Sequence, residues 1–255
     1  MIRAKIPARF REALRISMTR RYFRLILALG IASVLGFAAQ DQDAGYASKR
    51  RDMVEQQLRV RDITDPKVLK VMGEIPRHLF VDPEYRGSAY EDRPLPIADG
   101  QTISQPYIVA LMTQCLKVGG RDKILEVGTG SGYQAAVLAR LGARVFSIEI
   151  KESLAKKAAA VLAQLGETNV RVKCGDGYFG WPDEAPFDAV IVTCAADHVP
   201  DPLFAQLREG GRLIIPVGKE SEVQTLTLYT KIKGTPQPER IIPVLFVPMT
   251  GTIKK

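Results

Sequence analysis

The chain has 255 residues, of which 46% are hydrophobic and 25% are charged, and its formal net charge is +8. A chain of this size can bury one substantial core, so one globular domain is expected. Residues 1–39 hold eight Lys or Arg and one acid, which leaves 28 basic and 27 acidic side chains in the remainder. A nucleic-acid-binding function therefore loses its main support, and we expect no nucleic-acid partner.

The first forty residues predict a signal-like or anchor segment in front of a single domain at residues 41–255. The stretch Leu25–Ala39 is uncharged and apolar, follows an Arg-rich run and precedes polar residues, which is the layout of a secretory signal peptide. A membrane helix needs roughly twenty apolar residues, so this stretch is short. Export with cleavage near Gln40 and a retained anchor both remain open. Membrane contact is expected only through residues 19–39.

Helices and an irregular segment are predicted before the sheet. Two short helices are expected between Tyr46 and Glu74, with Asp65-Pro66 as N-cap and first helical residue of the second. Pro76–Gly100 shows no sustained period and predicts an ordered loop, whereas Gln105–Leu116 predicts a helix.

From Lys123 onward, short β-rich runs alternate with helical segments. The runs are KILEVG, RVFSIEI, VRVKCG and FDAVIVT, and the helices between the first three are Tyr133–Leu141 and Glu152–Leu165. A helix near Leu203–Arg208 then precedes three strand-like runs without intervening helices. The fold class is therefore α/β: a Rossmann-like, doubly wound, mostly parallel sheet with antiparallel C-terminal strands.

A glycine-rich turn, residues 128–132, follows the first of these strands. Its spacing is GxGxG, and Tyr133 stands where a dinucleotide-binding fingerprint needs a third glycine. The next strand ends near Glu149, nineteen residues after Gly130, where a carboxylate can accept both ribose hydroxyls. The pattern favours a ligand with a free ribose and no pyrophosphate.

The glycine turn and the acidic residue after it resemble motif I of class I S-adenosylmethionine-dependent methyltransferases. At the end of the third strand, Gly175-Asp176-Gly177 is similar to the segment that holds the adenine in that fold. The resemblance implies that Asp176 accepts from the adenine amino group. The alternative role is an ordinary turn aspartate.

An irregular segment upstream of the glycine turn indicates one family. AYEDRPLPI at residues 89–97 and DGQTISQPY at residues 99–107, preceded by Ile75-Pro76-Arg77, resemble the hallmark region of protein-L-isoaspartate O-methyltransferases. The resemblance runs from Tyr46 to Gly251. It implies methyl transfer from S-adenosyl-L-methionine to the α-carboxylate of L-isoaspartyl residues, with lesser use of D-aspartyl residues, in damaged proteins or peptides, as the first step of their repair.

The resemblance also implies a site. Ser104 matches the family's catalytic serine, and the alternative is an N-cap for the helix that begins at Gln105-Pro106. Gln224 and Thr250 are expected near the substrate, with exposed strand polarity as the alternative. The expected cofactor-binding residues are Gln101, Thr102, Ile103, Ser104, Glu126, Gly128, Thr129, Gly130, Ser131, Gly132, Glu149, Ile150, Asp176 and Gly177.

Other functions fit the sequence less well. Three cysteines without CxxC spacing and two distant histidines predict neither disulfides nor a metal site. A nicotinamide-dependent oxidoreductase fails on the glycine spacing, and its Tyr-x-x-x-Lys pair, Tyr229 with Lys233, ends a strand-like run. A non-catalytic binding module remains the alternative if the chain is exported. Family resemblance and cofactor supply imply a cytoplasmic monomer, with export to the periplasm as the other possibility.

Overall fold

The computed structural model describes residues 45–220 and 222–254. The signal-like segment lies outside these residues, so its cleavage or retention stays a prediction. Among the helices of these two ranges, none combines the length and apolar character needed to cross a bilayer. The compact unit described below is Lys49–Lys255.

Two helices lie within the described residues 45–74, as predicted. The first includes residues 49–52 and continues as the π-helix Met53–Leu58, and the second, α1, spans Pro66–Glu74. Asp65 caps α1, because its Oδ1 accepts from the backbone N–H of Lys67 at 2.8 Å. The cap satisfies one of the amides that a helix start leaves without a partner.

The irregular segment after α1 is ordered and contains a small hairpin that the sequence did not predict. Strands β1, Leu95–Pro96, and β2, Thr102–Ile103, pair in antiparallel fashion. Helix α2 follows at Pro106–Leu116. Three 3-10 turns also belong to the segment: Arg77–Phe80, Pro83–Ser88 and Ala98–Gly100.

The main sheet has seven strands in the order β5-β4-β3-β6-β7-β8-β9. Its strands are β3 Lys123–Val127, β4 Arg144–Glu149, β5 Val170–Cys174, β6 Phe187–Val192, β7 Leu207–Val217, β8 Gln224–Ile232 and β9 Thr235–Val244. The helices between them are α3 Tyr133–Arg140, α4 Glu152–Gln164 and α5 Asp201–Ala205. Strands β3 to β7 run parallel, and β8 and β9 pair in antiparallel fashion. This arrangement confirms the predicted fold class.

The centre of the sheet carries the core and locates the ligand edge. Leu125 on β3, Val190 on β6 and Ile215 on β7 are completely buried, as expected for parallel strands covered on both faces. β3 lies between β4 and β6, so the order of winding reverses there. In such open sheets, ligands bind outside the carboxyl ends of the strands at this reversal.

The helix before β7 differs from the prediction. It begins at Asp201 rather than near Leu203, because proline lies at its first turn, and it ends at Ala205. Leu207 already belongs to β7, where it pairs with Phe187. The Nζ of Lys231 donates to the last helical carbonyls, those of Phe204 and Ala205, and to the carbonyl of Leu207 in β7.

Candidate active site

The glycine turn that follows β3 has a backbone that only glycine fits. The three glycines of residues 128–132 have φ angles of +93°, +53° and +88°. At Gly128, an added Cβ would lie 2.5 Å from the Oγ1 of Thr193. The absence of side chains also lets a ligand approach the backbone closely.

Glu149, the last residue of β4, directs a buried carboxylate at this turn. Its Oε2 accepts from the N–H of Gly130 at 2.8 Å and its Oε1 from the N–H of Lys151 at 3.0 Å. The residue is 6% exposed, and it forms no ion pair within the described part of the chain. Each oxygen keeps a further lone pair, so the carboxylate can accept two neighbouring hydroxyl groups.

A cleft lies between the glycine turn and the segment 247–250. Its predicted members are Gln101, Thr102, Gly128, Gly130, Glu149, Ile150, Gly177 and Thr250. The free volume is about 70 Å³, well below the roughly 300–1,000 Å³ of small-molecule pockets. The groups present fit a nucleoside.

The cleft also contains a cysteine, Cys194, that the sequence analysis did not select. Burial raises the pKa of its thiol to about 12. The thiol is therefore protonated at neutral pH and is a poor nucleophile.

Ser104 follows β2 at the side of the cleft. Its carbonyl accepts from the Nη2 of the buried Arg77 at 2.7 Å, whereas its hydroxyl has no hydrogen-bond partner among the residues described. The N-cap alternative is wrong, because Gln105 occupies the cap position and no side chain caps α2. A space of about 30 Å³ separates Ser104 from the glycine turn, and the predicted residues Ile103, Thr129 and Ser131 line it.

A second cavity of about 450 Å³ opens on the other side of Ser104. It shares Thr102, Thr193 and Val247 with the cleft. Its remaining walls, which sequence reasoning missed apart from Ser104, are Pro94, Ser104, Gln105, Ile108, Val223, Pro243, Val244, Leu245 and Phe246. Pro94 and Gln105 lie in the segments 89–97 and 99–107 quoted above, and the uncharged run at the end of β9 could have indicated residues 243–246.

The comparison with family models decides the family. Residues 48–254 match the model for protein-L-isoaspartate(D-aspartate) O-methyltransferase. The chain belongs to this family.

Similar proteins carry the same name. A protein-L-isoaspartate O-methyltransferase 2 from Shewanella sediminis is 56% identical over 206 residues, which cover 81% of this chain and 84% of the relative. A solved protein-L-isoaspartate O-methyltransferase superposes with a TM-score of 0.74 at 32% identity, covering 80% of this chain and 67% of the other. A solved structure from Plasmodium falciparum, which carries the same enzyme name and contains S-adenosyl-L-homocysteine, superposes with a TM-score of 0.69 at 26% identity. The match covers 79% of this chain and 98% of the other.

Glu126 lies inside the protein-L-isoaspartate O-methyltransferase core and not in the cleft, contrary to expectation. It is completely buried in β3. Its Oε2 accepts from the hydroxyl of Ser147, which in turn hydrogen-bonds the Oγ1 of Thr129 at 2.6 Å. Burial raises the pKa of this carboxyl to about 8. Glu126 therefore reaches the glycine turn only through two hydroxyl groups.

The buried carboxyl of Glu126 predicts a pH dependence of stability. The native state keeps its proton up to about pH 8, whereas the unfolded chain releases it near 4.5. The free energy of unfolding should therefore fall between these two pH values. Glu126→Gln should remove that fall, so urea unfolding should show that the free energy of unfolding of the variant rises relative to that of the parent by on the order of 3 kcal/mol between pH 5 and pH 8.

Glu152→Gln is the matched control, because the Glu152 carboxylate is 68% exposed. Parallel pH profiles for the parent and Glu126→Gln would contradict the elevated pKa.

Three other residues that were predicted to bind cofactor or substrate make contacts within the protein itself. The Oδ1 of Asp176 accepts from the N–H of Tyr178 at 2.9 Å and its Oδ2 from that of Thr252 at 2.8 Å. This is the turn-aspartate alternative, and a contact with adenine stays a prediction. Gly132 packs on α4, where an added Cβ would lie 3.2 Å from the Cβ of Ala158.

Gln224 is the third of these residues. The alternative, an exposed polar side chain on a strand, is wrong, because only 1% of its surface is accessible. Its Nε2 donates to the carbonyl of Glu222 at 2.8 Å, and its Oε1 accepts from the N–H of Phe246 at 2.9 Å. The amide is used to join two backbone segments that border the second cavity. Gln224 therefore shapes this cavity, and a direct contact with substrate stays a prediction.

Proposed function

We propose that this chain transfers the methyl group of S-adenosyl-L-methionine to the α-carboxylate of L-isoaspartyl residues in damaged proteins and peptides. D-aspartyl residues are lesser substrates. The observation that carries the proposal is the position of Ser104, which borders both the space beside the glycine turn and the second cavity. Spontaneous succinimide closure of the methyl ester then returns part of the damage to normal aspartate.

The reaction needs orientation more than proton transfer. A carboxylate with an unperturbed pKa of about 4 is ionised at neutral pH, so the nucleophile requires no general base. The bound methyl donor supplies an electrophilic carbon on a sulfonium that leaves as a neutral thioether. The residues that line the cleft and the second cavity include no histidine, which fits this chemistry.

Each protein group has a positioning task. The carboxylate of Glu149 would accept hydrogen bonds from the ribose hydroxyls, and the glycine turn would admit the ligand close to the backbone. The hydroxyl of Ser104 donates to one oxygen of the substrate carboxylate and leaves the other to attack. The apolar walls remove water from that carboxylate, which strengthens the electrostatic interactions within the site.

Arg77 holds Ser104 in position through the Ser104 backbone. Its guanidinium is completely buried, forms no ion pair within the described residues, and holds the backbone of Ser104. Its positive charge therefore favours an anion near Ser104.

The decisive experiment is methyl transfer from labelled S-adenosyl-L-methionine to paired peptides that contain L-isoaspartate or normal aspartate. Base-labile label on the isoaspartyl peptide alone is expected. Label on neither peptide, from protein that binds S-adenosyl-L-homocysteine, would mean a different methyl acceptor.

Ser104→Ala should lower kcat/KM for the isoaspartyl peptide by about 10- to 100-fold, the loss of one hydrogen bond to a charged group. Binding of S-adenosyl-L-homocysteine and the unfolding midpoint should stay close to those of the parent. Full turnover by Ser104→Ala would remove the serine from the mechanism.

A cytoplasmic location is part of the proposal, because the methyl donor is made there, and we expect a monomer. Export through the signal-like residues 1–40 is the alternative. The first residue of the native protein, read by mass spectrometry, separates the two.

A further inference from the structure

The second cavity, beside Ser104, has one polar and one apolar side. Thr102, Ser104 and Thr193 border it toward the cleft, and Ile108, Val244 and Leu245 are among its apolar walls. None of its lining residues is charged. A charged side chain placed there would lose its hydration without gaining a partner, which is unfavourable.

Two hydrophobic side chains at this cavity are unusually exposed. Leu245 is 77% exposed and Val223 is 63% exposed. Exposed apolar groups clustered at a concave surface are typical of binding sites. Glu222, which precedes Val223, pairs with Lys219 at 3.6 Å, and with Glu220 the segment 219–222 carries one positive and two negative side chains.

The cavity is held in shape by the buried amide of Gln224. This amide bonds the backbone at Lys219 and Glu222 on one side and at Phe246 on the other. Val223 and Leu245 belong to these two segments, so their backbones are fixed relative to each other. A preformed apolar wall binds a side chain without first having to become ordered.

Continuity with the active site indicates the occupant. Ser104 borders both this cavity and the space next to the glycine turn. A peptide whose isoaspartyl carboxylate lies at Ser104 must therefore bring a neighbouring residue to the cavity.

We propose that the cavity is a subsite for a large apolar side chain next to the isoaspartyl residue, with Leu245 and Val223 as specificity-determining residues. The inference rests on the proposed methylation of isoaspartyl peptides. It predicts that damage sites beside leucine, phenylalanine or similar residues are methylated faster than those beside charged residues.

The test compares isoaspartyl peptides that differ only in the residue before or after the isoaspartate: leucine, alanine or glutamate. For one of the two positions, kcat/KM should be about tenfold higher with leucine than with alanine, and lowest with glutamate. In Leu245→Ser and Val223→Ser, the leucine-to-alanine ratio should fall toward one. Ile232→Ser is the matched control, because Ile232 is 47% exposed at the far end of β8 and its replacement should leave the ratio unchanged.

The outcomes separate the two proposals. Equal kcat/KM for the leucine, alanine and glutamate peptides at both positions would overturn the subsite and leave isoaspartyl methylation intact. A ratio unchanged in both Leu245→Ser and Val223→Ser would also overturn it. No methylation of any isoaspartyl peptide by protein that binds S-adenosyl-L-homocysteine would overturn the proposed function and the subsite together.

Discussion

Glu149→Ala is expected to weaken the binding of S-adenosyl-L-homocysteine by about 100-fold or more. The substitution removes a buried carboxylate that is oriented by the N–H groups of Gly130 and Lys151. Two hydroxyl hydrogen bonds to a charged acceptor contribute about 1.5–3 kcal/mol each, and 100-fold corresponds to about 2.7 kcal/mol. The glycine turn also loses the hydrogen bond from the N–H of Gly130 to Glu149. The variant should therefore have a more mobile turn as well as a lower affinity for the ligand.

Isothermal titration calorimetry measures this loss directly. Glu152→Ala is the matched control: Glu152 lies three residues along the chain, is 68% exposed, and pairs with Lys156 on the surface of α4. It should keep the parent affinity within about twofold, as expected for an exposed ion pair. If Glu149→Ala bound S-adenosyl-L-homocysteine as tightly as Glu152→Ala, the carboxylate of Glu149 would not be the ribose acceptor.

Arg77→Met should lower the free energy of unfolding by about 3 kcal/mol. Its Nε donates to the carbonyl of Ala89 at 2.8 Å and its Nη2 to that of Ser104 at 2.7 Å, while its guanidinium stacks over the ring of Tyr133 at 4.8 Å. Methionine fills similar space but leaves two carbonyls without donors, which costs about 1–3 kcal/mol each. Relief of the buried charge offsets part of this cost.

Urea unfolding of Arg77→Met and Arg93→Met provides the comparison. Arg93 is 52% exposed in its ion pair with Glu91, so its replacement should change the free energy of unfolding by less than about 0.5 kcal/mol. Arg77→Met should also reduce kcat below the parent value at a temperature where it is folded, because the Ser104 backbone loses its anchor. Equal stabilities for the two variants would mean that the burial of Arg77 costs as much as its contacts contribute.

Local chemistry explains which parts could be predicted from the sequence. The cap at Asp65 and the glycine turn are properties of a few consecutive residues, so their patterns indicate them directly. The difference between Glu126 and Glu149 is not local. Both lie in parallel strands, but only the strand end at Glu149 faces the ligand edge, whereas Glu126 is inside β3 and completely buried. The exact end of a strand and its facing direction depend on tertiary packing.

Long-range contacts account for what the sequence could not indicate. The second cavity joins β2, the start of α2 and the end of β9, and no short pattern specifies that these segments meet. The buried state of Gln224 has the same origin, because its partner Phe246 is reached only through the β8–β9 pairing. The early end of α5 is stabilised by Lys231, which donates to the last helical carbonyls and lies more than twenty residues downstream.

The cleft and the second cavity share three wall residues through which the two spaces can influence each other. Thr102, Thr193 and Val247 contact both spaces, so whatever fills one space alters the surface offered to the other. By thermodynamic reciprocity, the factor by which a bound nucleoside changes the affinity for a peptide equals the factor by which the peptide changes the affinity for the nucleoside. Titration of S-adenosyl-L-homocysteine with and without a saturating peptide therefore measures the coupling between the two spaces in both directions.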